Sequence, residues 1–454
     1  MERAKITMAS QFNAHGGFGS SNYRSYALGA LLLIYVFEVV DRILLSLVQE
    51  QVRIDLSLTD FQLGLLGGPA FVILYVLSTV PIARLAESRN RITIVATGAA
   101  LWSAATAVCG LATNFVQLFI ARMCVGIGEA ACVPPSHSTI SDYFPSNKRA
   151  SALAVFGLAI PIGTLIAAFG GGWLAQNFDW RTAFIVLGGL GIAAALLLKL
   201  TVKDPPRADP DAVTPSFLAA LKSLGSKRSY WHAIAAGSVL SLFGFSLTAF
   251  FVSYTVREYR LEIGEASFGF GILFGFGVAL GIFLGGYLSD KLQYRHPRVI
   301  AWLPALGLLV AVPLYLIAFY QPSYLIACVF FFFGLIFHYM FNAPMFAVAQ
   351  QVAEPRVRAT ASAIMMLVIT LVGYGFGPPM VGAIADYHVA QLATEAGVSA
   401  QACLGDATAP GCPDVGGSGL RLGLIVTLAF FVWGALHFWL VGRTYAKDRY
   451  DPAA

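Results

Sequence analysis

The sequence contains twelve stretches that are long and apolar enough to cross a membrane as α-helices. Apolar residues make up 57% of the 454 residues and charged residues only 12%, about half of the charged fraction of a soluble domain. About 20 helical residues span the ~30 Å hydrocarbon core, where helices and closed barrels satisfy every backbone hydrogen bond. We therefore predict an all-α membrane protein with spans at residues 26–48, 60–82, 92–111, 115–140, 150–175, 182–201, 231–256, 266–289, 299–319, 323–352, 359–385 and 420–442.

A polar segment between the sixth and seventh spans divides the chain into two halves. The halves repeat weakly, because Arg149 follows Pro135 at the same distance as Arg358 follows Pro344. Parallel six-helix repeats are typical of one transporter architecture. The first residues lack the pattern of a cleaved signal peptide, so the first span is expected to stay in the protein. The predicted parts are an N-terminal segment 1–25, a six-helix bundle 26–201, a linker 202–230, a second six-helix bundle 231–442 and a tail 443–454.

Lysine and arginine residues are distributed unevenly between the two sides of the predicted spans. If both termini are cytoplasmic, two of the 29 lie deep within spans, five lie on the outer side or at the outer end of a span, and the rest lie on the inner side or at the inner end of a span. The outer five are Arg53, Arg181, Arg257, Arg260 and Arg421. Because positive residues concentrate in cytoplasmic loops, we predict that both termini are cytoplasmic. The net charge of +5 therefore reflects orientation in the membrane and does not indicate binding to nucleic acid.

Five ionisable residues lie inside the first and fourth predicted spans, namely Glu38, Asp41, Arg42, Arg122 and Glu129. An ionisable group at bilayer depth costs roughly 2.5–3.5 kcal/mol, so these side chains should face protein or a wet cavity. Burial disfavours the charged form of a carboxyl group and a nearby cation favours it. Asp41, Glu129 and Glu38 are therefore candidate proton carriers, and the seven-residue spacing places Arg122 on the helix face of Glu129. The alternative is a static ion-paired group that joins two spans.

The spans of the second half carry aromatic residues where the first half carries deep charges. The rings are Phe243, Phe245, Phe250, Phe251, Phe330 to Phe333, Phe337 and Phe341. The predicted substrate contacts are Arg42 and Arg122, which can bind an anionic headgroup, together with His338, Tyr339, Asn342 and Tyr374. A cavity that is charged on one wall and aromatic on the other suits an amphiphile. The alternative is that most rings face lipid or neighbouring helices.

The sequence lacks the patterns of an enzyme or of a metal site. His137, His338 and His437 do not have metal-ligand spacing, and there is no GxSxG turn. A channel would require a continuous polar pore, which the apolar spans do not supply. We therefore expect neither a membrane enzyme nor a channel. We also expect no cofactor, since the proton gradient would drive transport. Cys403 and Cys412 flank a loop predicted to lie outside, where the environment allows a disulfide.

Motifs at the ends of several spans resemble those of the major facilitator superfamily over essentially the whole chain. The motifs are "GYLSDK" with Asp290, "RMCVGIG" with Arg122, and "SDYFPSNKRASA" with Asp142 and Arg149. The loop after span two keeps Arg91 but departs from the family pattern at Ala83, Glu87, Ser88 and Asn90. The resemblance implies a set of gating residues that pair across the two halves when the cytoplasmic side is closed. These gating residues are Glu87, Arg91, Asp142, Arg149, Asp290 and Arg358.

Within the superfamily, "VVDRILLS" in span one and "GIGEAACVPPSHSTISDYFP" in span four are most similar to the Spinster group. This resemblance implies a proton-coupled secondary transporter that exports an amphipathic lipid, such as a lysolipid or a sphingosine phosphate, or a lipophilic drug. A bacterial member would be a monomer in the inner membrane, and its partners would be substrate, protons and lipid. Sugar-phosphate and organic-anion transporters share parts of the span-four motif. A proton symporter for an organic anion or sugar acid is therefore the alternative.

Overall fold

The computed structural model describes residues 18–207, 217–293, 296–405, 415 and 417–450. These residues are helical almost throughout, which confirms the all-α fold. Eleven helical segments among them, several of which join consecutive helices, are long and apolar enough to cross a membrane, and they correspond to the second to the twelfth predicted spans. The first predicted span lies in a continuous helix of 36 residues, Ser21–Leu56, which is about 54 Å long at 1.5 Å per residue.

The helices are numbered in chain order. Up to the linker they are α1 (Ser21–Leu56), α2 (Asp60–Gly67), α3 (Pro69–Ser88), α4 (Arg91–Cys109), α5 (Phe115–Glu129), α6 (Val133–Tyr143), α7 (Ser146–Gly157), α8 (Ala159–Ile166), α9 (Gly172–Asn177) and α10 (Trp180–Thr201). After it come α11 (Phe217–Gly225), α12 (Arg228–Tyr259), α13 (Ile263–Ile272), α14 (Val278–Gln293), α15 (Val299–Phe319), α16 (Tyr324–Tyr339), α17 (Asn342–Val352), α18 (Arg358–Glu395), α19 (Ala400–Gly405), α20 (Ser418–Leu428) and α21 (Phe430–Asp448). Single π-helical turns join α8 to α9 and α13 to α14.

The chain packs as two compact units that differ from the predicted halves by one segment. The first unit comprises Met1–Leu45 and Ala70–Ala212, and the second comprises Ser46–Pro69 and Val213–Ala454. Helix α1 therefore begins in the first unit and ends in the second. The short helix α2 packs in the second unit, although chain order places it in the first bundle.

Side-chain caps fix the start of three helices in the first unit. Asn90, Asn114 and Asp179 each accept a hydrogen bond from the backbone N–H three residues later, at 2.8, 3.0 and 2.5 Å. An N-cap of this kind satisfies a donor that the helix itself leaves unpaired. The bond from Thr182 also holds the pKa of the exposed Asp179 carboxyl below its usual value. These caps explain why α4, α5 and α10 begin within two residues of the predicted spans.

The predicted repeat extends to local structure. Arg149 donates from Nε to the carbonyl of Phe144 at 3.1 Å, and Arg358 donates from Nε to the carbonyl of Ala353 at 3.4 Å. In both cases the carbonyl lies five residues before the arginine, in the turn that ends the preceding helix. Each arginine therefore stabilises the same turn in its own unit.

Two glycines bring α5 and α10 close to α4 in the first unit. A Cβ on Gly128 of α5 would lie 2.7 Å from the backbone nitrogen of Trp102, and a Cβ on Gly188 of α10 would lie 2.6 Å from the carbonyl oxygen of Ser103. No side chain fits at either position without moving a helix. This close approach places α4 beside the ionisable residues of α5.

Candidate transport site

The structure brings the five predicted ionisable residues together inside the first unit. Helix α1 supplies three of them and α5 supplies two. We call Glu38, Asp41, Arg42, Arg122 and Glu129 the charge cluster. Four members are only 1–4% exposed, whereas the side chain of Arg42 is 26% exposed. Since unpaired charges are costly at such burial, the way in which the members pair decides their chemistry.

Arg42 binds two carboxylates from two helices. Its Nη2 atom lies 2.6 Å from Glu38 Oε1 on the same helix and 2.6 Å from Glu129 Oε2 on α5. The guanidinium also lies 5.0 Å from the centre of the Phe71 ring, which favours a cation. Glu129 therefore pairs with Arg42 across two helices, although its spacing in the sequence places it on the helix face of Arg122.

Asp41 lies between a hydroxyl group and a guanidinium. Its Oδ1 atom accepts a hydrogen bond from Thr106 Oγ1 on α4 at 2.5 Å, and its Oδ2 atom lies 3.8 Å from Arg122 Nη1. The carboxyl group of Glu129 is also close enough to interact with it. Thr106 is a site residue that sequence reasoning missed, because a threonine in an apolar span gives no signal.

The charge cluster contains an odd number of charged groups. Its three carboxyl groups face two guanidinium groups, so the fully ionised cluster carries one net negative charge and a single proton neutralises it. Tyr35, Tyr75 and Cys132 also interact with Glu38 or Glu129, and their side chains are neutral in their ordinary state. A buried cluster of this composition can hold or release one proton.

An aromatic pocket of about 180 Å³ lies in the second unit. It is lined by Ser241, Gly244, Phe245, His338, Tyr339, Phe341, Asn342, Met345, Phe346, Met366, Ile369 and Thr370. Three of the predicted contacts, His338, Tyr339 and Asn342, line it directly. Tyr374 stacks on the lining residue Phe245 with ring centres 3.9 Å apart. All four predicted substrate contacts of the second half therefore lie at this pocket or against one of its lining residues.

Half of the other predicted rings pack in the interior of the second unit. Phe243, Phe250, Phe251 and Phe331 are at most 1% exposed. His338 is also buried and lies 3.2 Å from the hydroxyl of Tyr315 through Nδ1. The alternative interpretation of the rings as packing residues is thus correct for these four, whereas Phe245 and Tyr339 at the pocket are half-buried. Arg122 is 1% exposed, so the headgroup contact predicted for it is not available in this structure.

Two of the predicted gating residues meet in the first unit. Arg91 binds Asp142 at 2.5 Å through Nη1 and binds Asp204 at 2.9 Å through Nε. Arg91 is 1% exposed and also donates to the carbonyl of Pro205 at 2.7 Å. The structure therefore anchors Arg91 between α6 and the chain that follows α10. Asp204 was not predicted, because it stands in a polar segment that gives no sign of a partner.

The remaining gating residues lie at exposed or half-buried helix ends. Glu87 and Asp290 are exposed, and Asp290 accepts a hydrogen bond from Gln293 at 3.0 Å. Arg149 and Arg358 bond the carbonyls described above. Pairing across the two halves stays a prediction for all of these residues.

An ion-pair network in the second unit was not predicted as a functional feature. Arg257 of α12 binds both carboxylate oxygens of Asp60 at 2.7 Å, and it binds Glu50 at 2.8 Å. Glu50 also pairs with Arg53 at 2.8 Å. Asp386 of α18 accepts the backbone N–H groups of Asp60 and Phe61, both at 2.9 Å. We call Glu50, Arg53, Asp60, Arg257 and Asp386 the outer ion-pair network, since the predicted orientation places it outside.

The outer ion-pair network lines a cavity of about 380 Å³ in the second unit. The sequence had identified Arg53 and Arg257 only as arginines on the outer side. Arg421, another of those arginines, pairs with Glu258 at 2.6 Å. Cys403 borders the same cavity and is disulfide-bonded, whereas Cys412, its predicted partner, lies outside the described residues.

His437 has a hydrogen-bonding partner that the sequence did not identify. The Nδ1 atoms of His437 on α21 and His232 on α12 are 3.0 Å apart in the second unit. The spacing of 205 residues hides such a pair in the sequence. His137 packs edge-on against Phe156. In the described part of the chain no three His, Cys, Asp or Glu residues are arranged to hold a metal ion.

Comparisons with known proteins agree with this architecture. The family model for the Major Facilitator Superfamily matches residues 31–378. An MFS-type efflux pump of Mycolicibacterium smegmatis is 30% identical over 429 residues, which cover 94% of each chain. Protein spinster of Drosophila melanogaster is 28% identical over 375 residues, or 80% of this chain and 62% of the fly protein. Human protein spinster homolog 1 is 28% identical over 406 residues, or 81% of this chain and 74% of the human protein.

A solved structure has the same fold. It is the crystal structure of a bacterial homolog of the human lysosomal transporter Spinster, in an inward-facing and unoccupied conformation. The TM-score is 0.87 at 32% sequence identity, and the match covers 96% of this chain and all of that chain. The fold and the relatives therefore agree with the motifs of the sequence.

Proposed function

Because this chain belongs to the Major Facilitator Superfamily, we propose that it couples the entry of protons to the export of an amphipathic lipid or lipophilic drug. Its relatives include an efflux pump and several Spinster proteins. The chain is thus a multi-pass membrane transporter of the Spinster-like efflux type, and it is not an enzyme. The proton and the lipid are the parts that we propose.

The charge count of the charge cluster carries the proposal of proton coupling. Glu38, Asp41 and Glu129 are at most 4% exposed, and two guanidinium groups can neutralise only two of them. A static ion-paired group would favour equal numbers of the two charges, because an uncompensated buried charge is costly. The surplus carboxyl group favours a cluster that binds one proton in one state and releases it in another.

The aromatic pocket supports an amphipathic substrate. Its volume of about 180 Å³ is smaller than the ~300–1,000 Å³ of a typical ligand site, so we infer that it takes one apolar part of a larger molecule, such as a segment of an acyl chain. Arg42, with its 26% exposed side chain, is the member of the charge cluster that a polar headgroup can reach. A lysolipid or a sphingosine phosphate has both parts.

The partial exposure of Arg42 also favours the alternative, a proton symporter for an organic anion or sugar acid. Guanidinium binds carboxylate and phosphate equally well through two hydrogen bonds. The two functions differ in the role of the aromatic pocket, since a sugar acid has no apolar tail to place in it.

The setting of the transporter completes the proposal. We place it as a monomer in a bacterial inner membrane, with both termini cytoplasmic and with no cofactor besides the proton gradient. Glu87, Arg91, Asp142, Arg149, Asp290 and Arg358 would then act at the cytoplasmic side, as the resemblance implies.

Reconstituted proteoliposomes test both parts of the proposal. Under an imposed pH gradient, we expect flux of a fluorescent lysolipid and no flux of a hexuronate; the reverse would favour the symporter. The Asp41→Asn variant should lose gradient-driven flux and retain exchange of lysolipid without a gradient. Coupled flux near the wild-type rate in this variant would disprove the role of Asp41.

A further inference from the structure

Thr106 has one hydroxyl hydrogen and two acceptors within reach. Its Oγ1 atom lies 2.5 Å from Asp41 Oδ1 and 2.9 Å from the carbonyl oxygen of Trp102, one turn earlier on α4. A hydroxyl group donates one hydrogen bond and accepts up to two. Rotation about the Cβ–Oγ1 bond therefore selects which of the two oxygens receives the hydrogen.

The two orientations of this hydroxyl match two protonation states of Asp41. When the hydrogen points to Asp41, the carboxylate is best satisfied in its ionised form. When the hydrogen points to Trp102, Oγ1 presents lone pairs to Asp41, and Asp41 is satisfied only as a protonated acid that donates to Oγ1. Thr106 keeps its own hydrogen in both arrangements. The first arrangement contains one charge-assisted hydrogen bond among the three groups, and the second contains two neutral ones.

Solvent has little access to these groups. Thr106 is 2% exposed and Asp41 is 4% exposed. The cavity beside them has a volume of about 10 Å³ and is lined mainly by apolar groups, with Ser103 as a further hydroxyl. A cavity of this size holds about one water molecule at most. The hydroxyl of Thr106 is thus the main neutral hydrogen-bonding partner of the Asp41 carboxyl.

Besides the hydroxyl of Thr106, several ionisable groups face Asp41. Helix α1 contributes Glu38 and Arg42, α5 contributes Arg122 and Glu129, and α4 contributes Cys109. The residues of α10 that line the cavity, Leu187 and Gly188, are not ionisable. If the cluster holds a single proton, Asp41 competes for it with Glu38 and with Glu129, and the carboxyl group of Glu129 is the one that interacts with Asp41 directly.

We propose that Thr106 is a positioning residue that decides whether Asp41 or Glu129 holds the proton of the charge cluster. When its hydroxyl donates to Asp41, Thr106 stabilises ionised Asp41, and the proton stays on Glu129. When its hydroxyl donates to the carbonyl of Trp102, Thr106 stabilises protonated Asp41, and Glu129 stays ionised beside Arg42. This inference rests on the proposed proton coupling. It adds that the hydroxyl of Thr106 on α4 determines which carboxyl group is protonated.

Infrared difference spectroscopy of the purified protein across a pH titration tests this proposal. The carbonyl stretching bands of protonated Asp41 and Glu129 are assigned as the bands that disappear in Asp41→Asn and in Glu129→Gln. In the isosteric variant Thr106→Val, ionised Asp41 loses one charge-assisted bond, and the protonated arrangement loses two neutral ones. The Asp41 band should therefore move to the higher frequency of an unbonded acid, and its intensity relative to the Glu129 band should change, because the hydroxyl no longer contributes to either arrangement.

Two variants serve as matched controls. Thr106→Ser keeps the hydroxyl and should keep the wild-type bands, and Ser103→Ala removes a hydroxyl from the same cavity without removing the partner of Asp41. If Thr106→Val is not monodisperse, Thr106→Ala replaces it. Unchanged positions and relative intensities of both bands in the Thr106 variant would overturn the proposal while proton coupling stands. If no band responds to Asp41→Asn, Glu129→Gln or Glu38→Gln, none of the three acids titrates, and the proposed proton coupling fails as well.

Discussion

Glu129 is both an ion-pair partner of Arg42 and a candidate proton carrier. One of its oxygens lies 2.6 Å from Arg42, and its carboxyl group interacts with Asp41, so it belongs to both pairs of the charge cluster. Its protonation weakens the contact with Arg42 and removes the surplus negative charge. Protonation of Glu129, which lies on α5, therefore alters its contacts with two residues of α1.

Glu129→Gln should abolish most of the pH dependence of the conformational equilibrium. Glutamine leaves two carboxyl groups facing two guanidinium groups, so the cluster is neutral without a proton, and Arg42 still keeps Glu38 at 2.6 Å. Spin labels on the two halves report the change as distance distributions between about pH 5 and about pH 8, where perturbed carboxyl groups titrate. A pH profile equal to that of the wild type would show that Glu129 is only structural.

The sequence predicted the membership of the charge cluster but not its pairing. Charges within apolar spans stand out because each must be compensated, and this local signal identified Glu38, Asp41 and Glu129. Which guanidinium faces which carboxylate depends on the rotation and approach of α1 and α5, which no short-range pattern encodes. Thr106 and Asp204 were missed for the same reason, since each acts only through a partner that is distant in the sequence.

At the scale of helices, close packing of α10 on α4 supports the charge cluster. Gly188 and Gly189 are neighbours on α10 with opposite surroundings. A Cβ on Gly188 would lie 2.6 Å from the carbonyl of Ser103, whereas a Cβ on Gly189 would have no atom within 4 Å. The helix α4 also carries Thr106, so its position relative to α10 matters for the Asp41 site.

Gly188→Ala should destabilise the protein by about 1–3 kcal/mol, because overpacking forces the helices apart. Gly189→Ala should be neutral or stabilising by up to ~1 kcal/mol, because alanine is the better helix former at an exposed position. The temperature at which the monodisperse fraction is lost on heating in detergent measures both effects. Similar losses in the two variants would contradict the packing of α10 on α4.

The position of helix α2 in the second unit could not be predicted from its place in the chain. The hydropathy pattern merged it with α3 into one span of the first bundle, and the structure places it in the second unit. Gly64 of α2 and Gly382 of α18 allow the contact, since a Cβ on Gly64 would lie 2.4 Å from the carbonyl of Pro378 and a Cβ on Gly382 would lie 2.2 Å from that of Asp60. Such backbone contacts leave only isolated glycines in the sequence, so hydropathy could not predict them.

Arg257→Gln should loosen α2. Breaking a buried ion pair costs about 3–5 kcal/mol, and Arg257 holds both Asp60 and Glu50. In hydrogen–deuterium exchange, the amides of α2 should therefore exchange at least about tenfold faster, since local opening controls exchange. Arg421→Gln is the matched control, because it removes an ion pair of the second unit that does not involve α2. Equal exchange of α2 in both variants would show that the outer ion-pair network does not hold this helix.

At the scale of the whole molecule, the two loops that carry gating residues differ in composition and in local pairing. The loop after α3 departs from the family pattern, and its Arg91 is already neutralised inside the first unit by Asp142 and Asp204. Asp290, at the end of α14, is exposed and accepts a bond from Gln293. Asp290 thus keeps its charge available for a partner that approaches in another state.

Asp290→Asn should therefore favour the cytoplasm-open state more than Glu87→Gln does. A contact made in one state alone shifts the equilibrium by at most its own free energy. A helix-end pair contributes roughly 1–2 kcal/mol, or about 5–30-fold in population. The readout is the rate at which a maleimide added from the cytoplasmic side labels a single cysteine at Met345, in a background without the free Cys109, Cys124, Cys132 and Cys328. Equal rates in the two variants, or a faster rate in Glu87→Gln, would contradict a larger contribution from Asp290 than from Glu87.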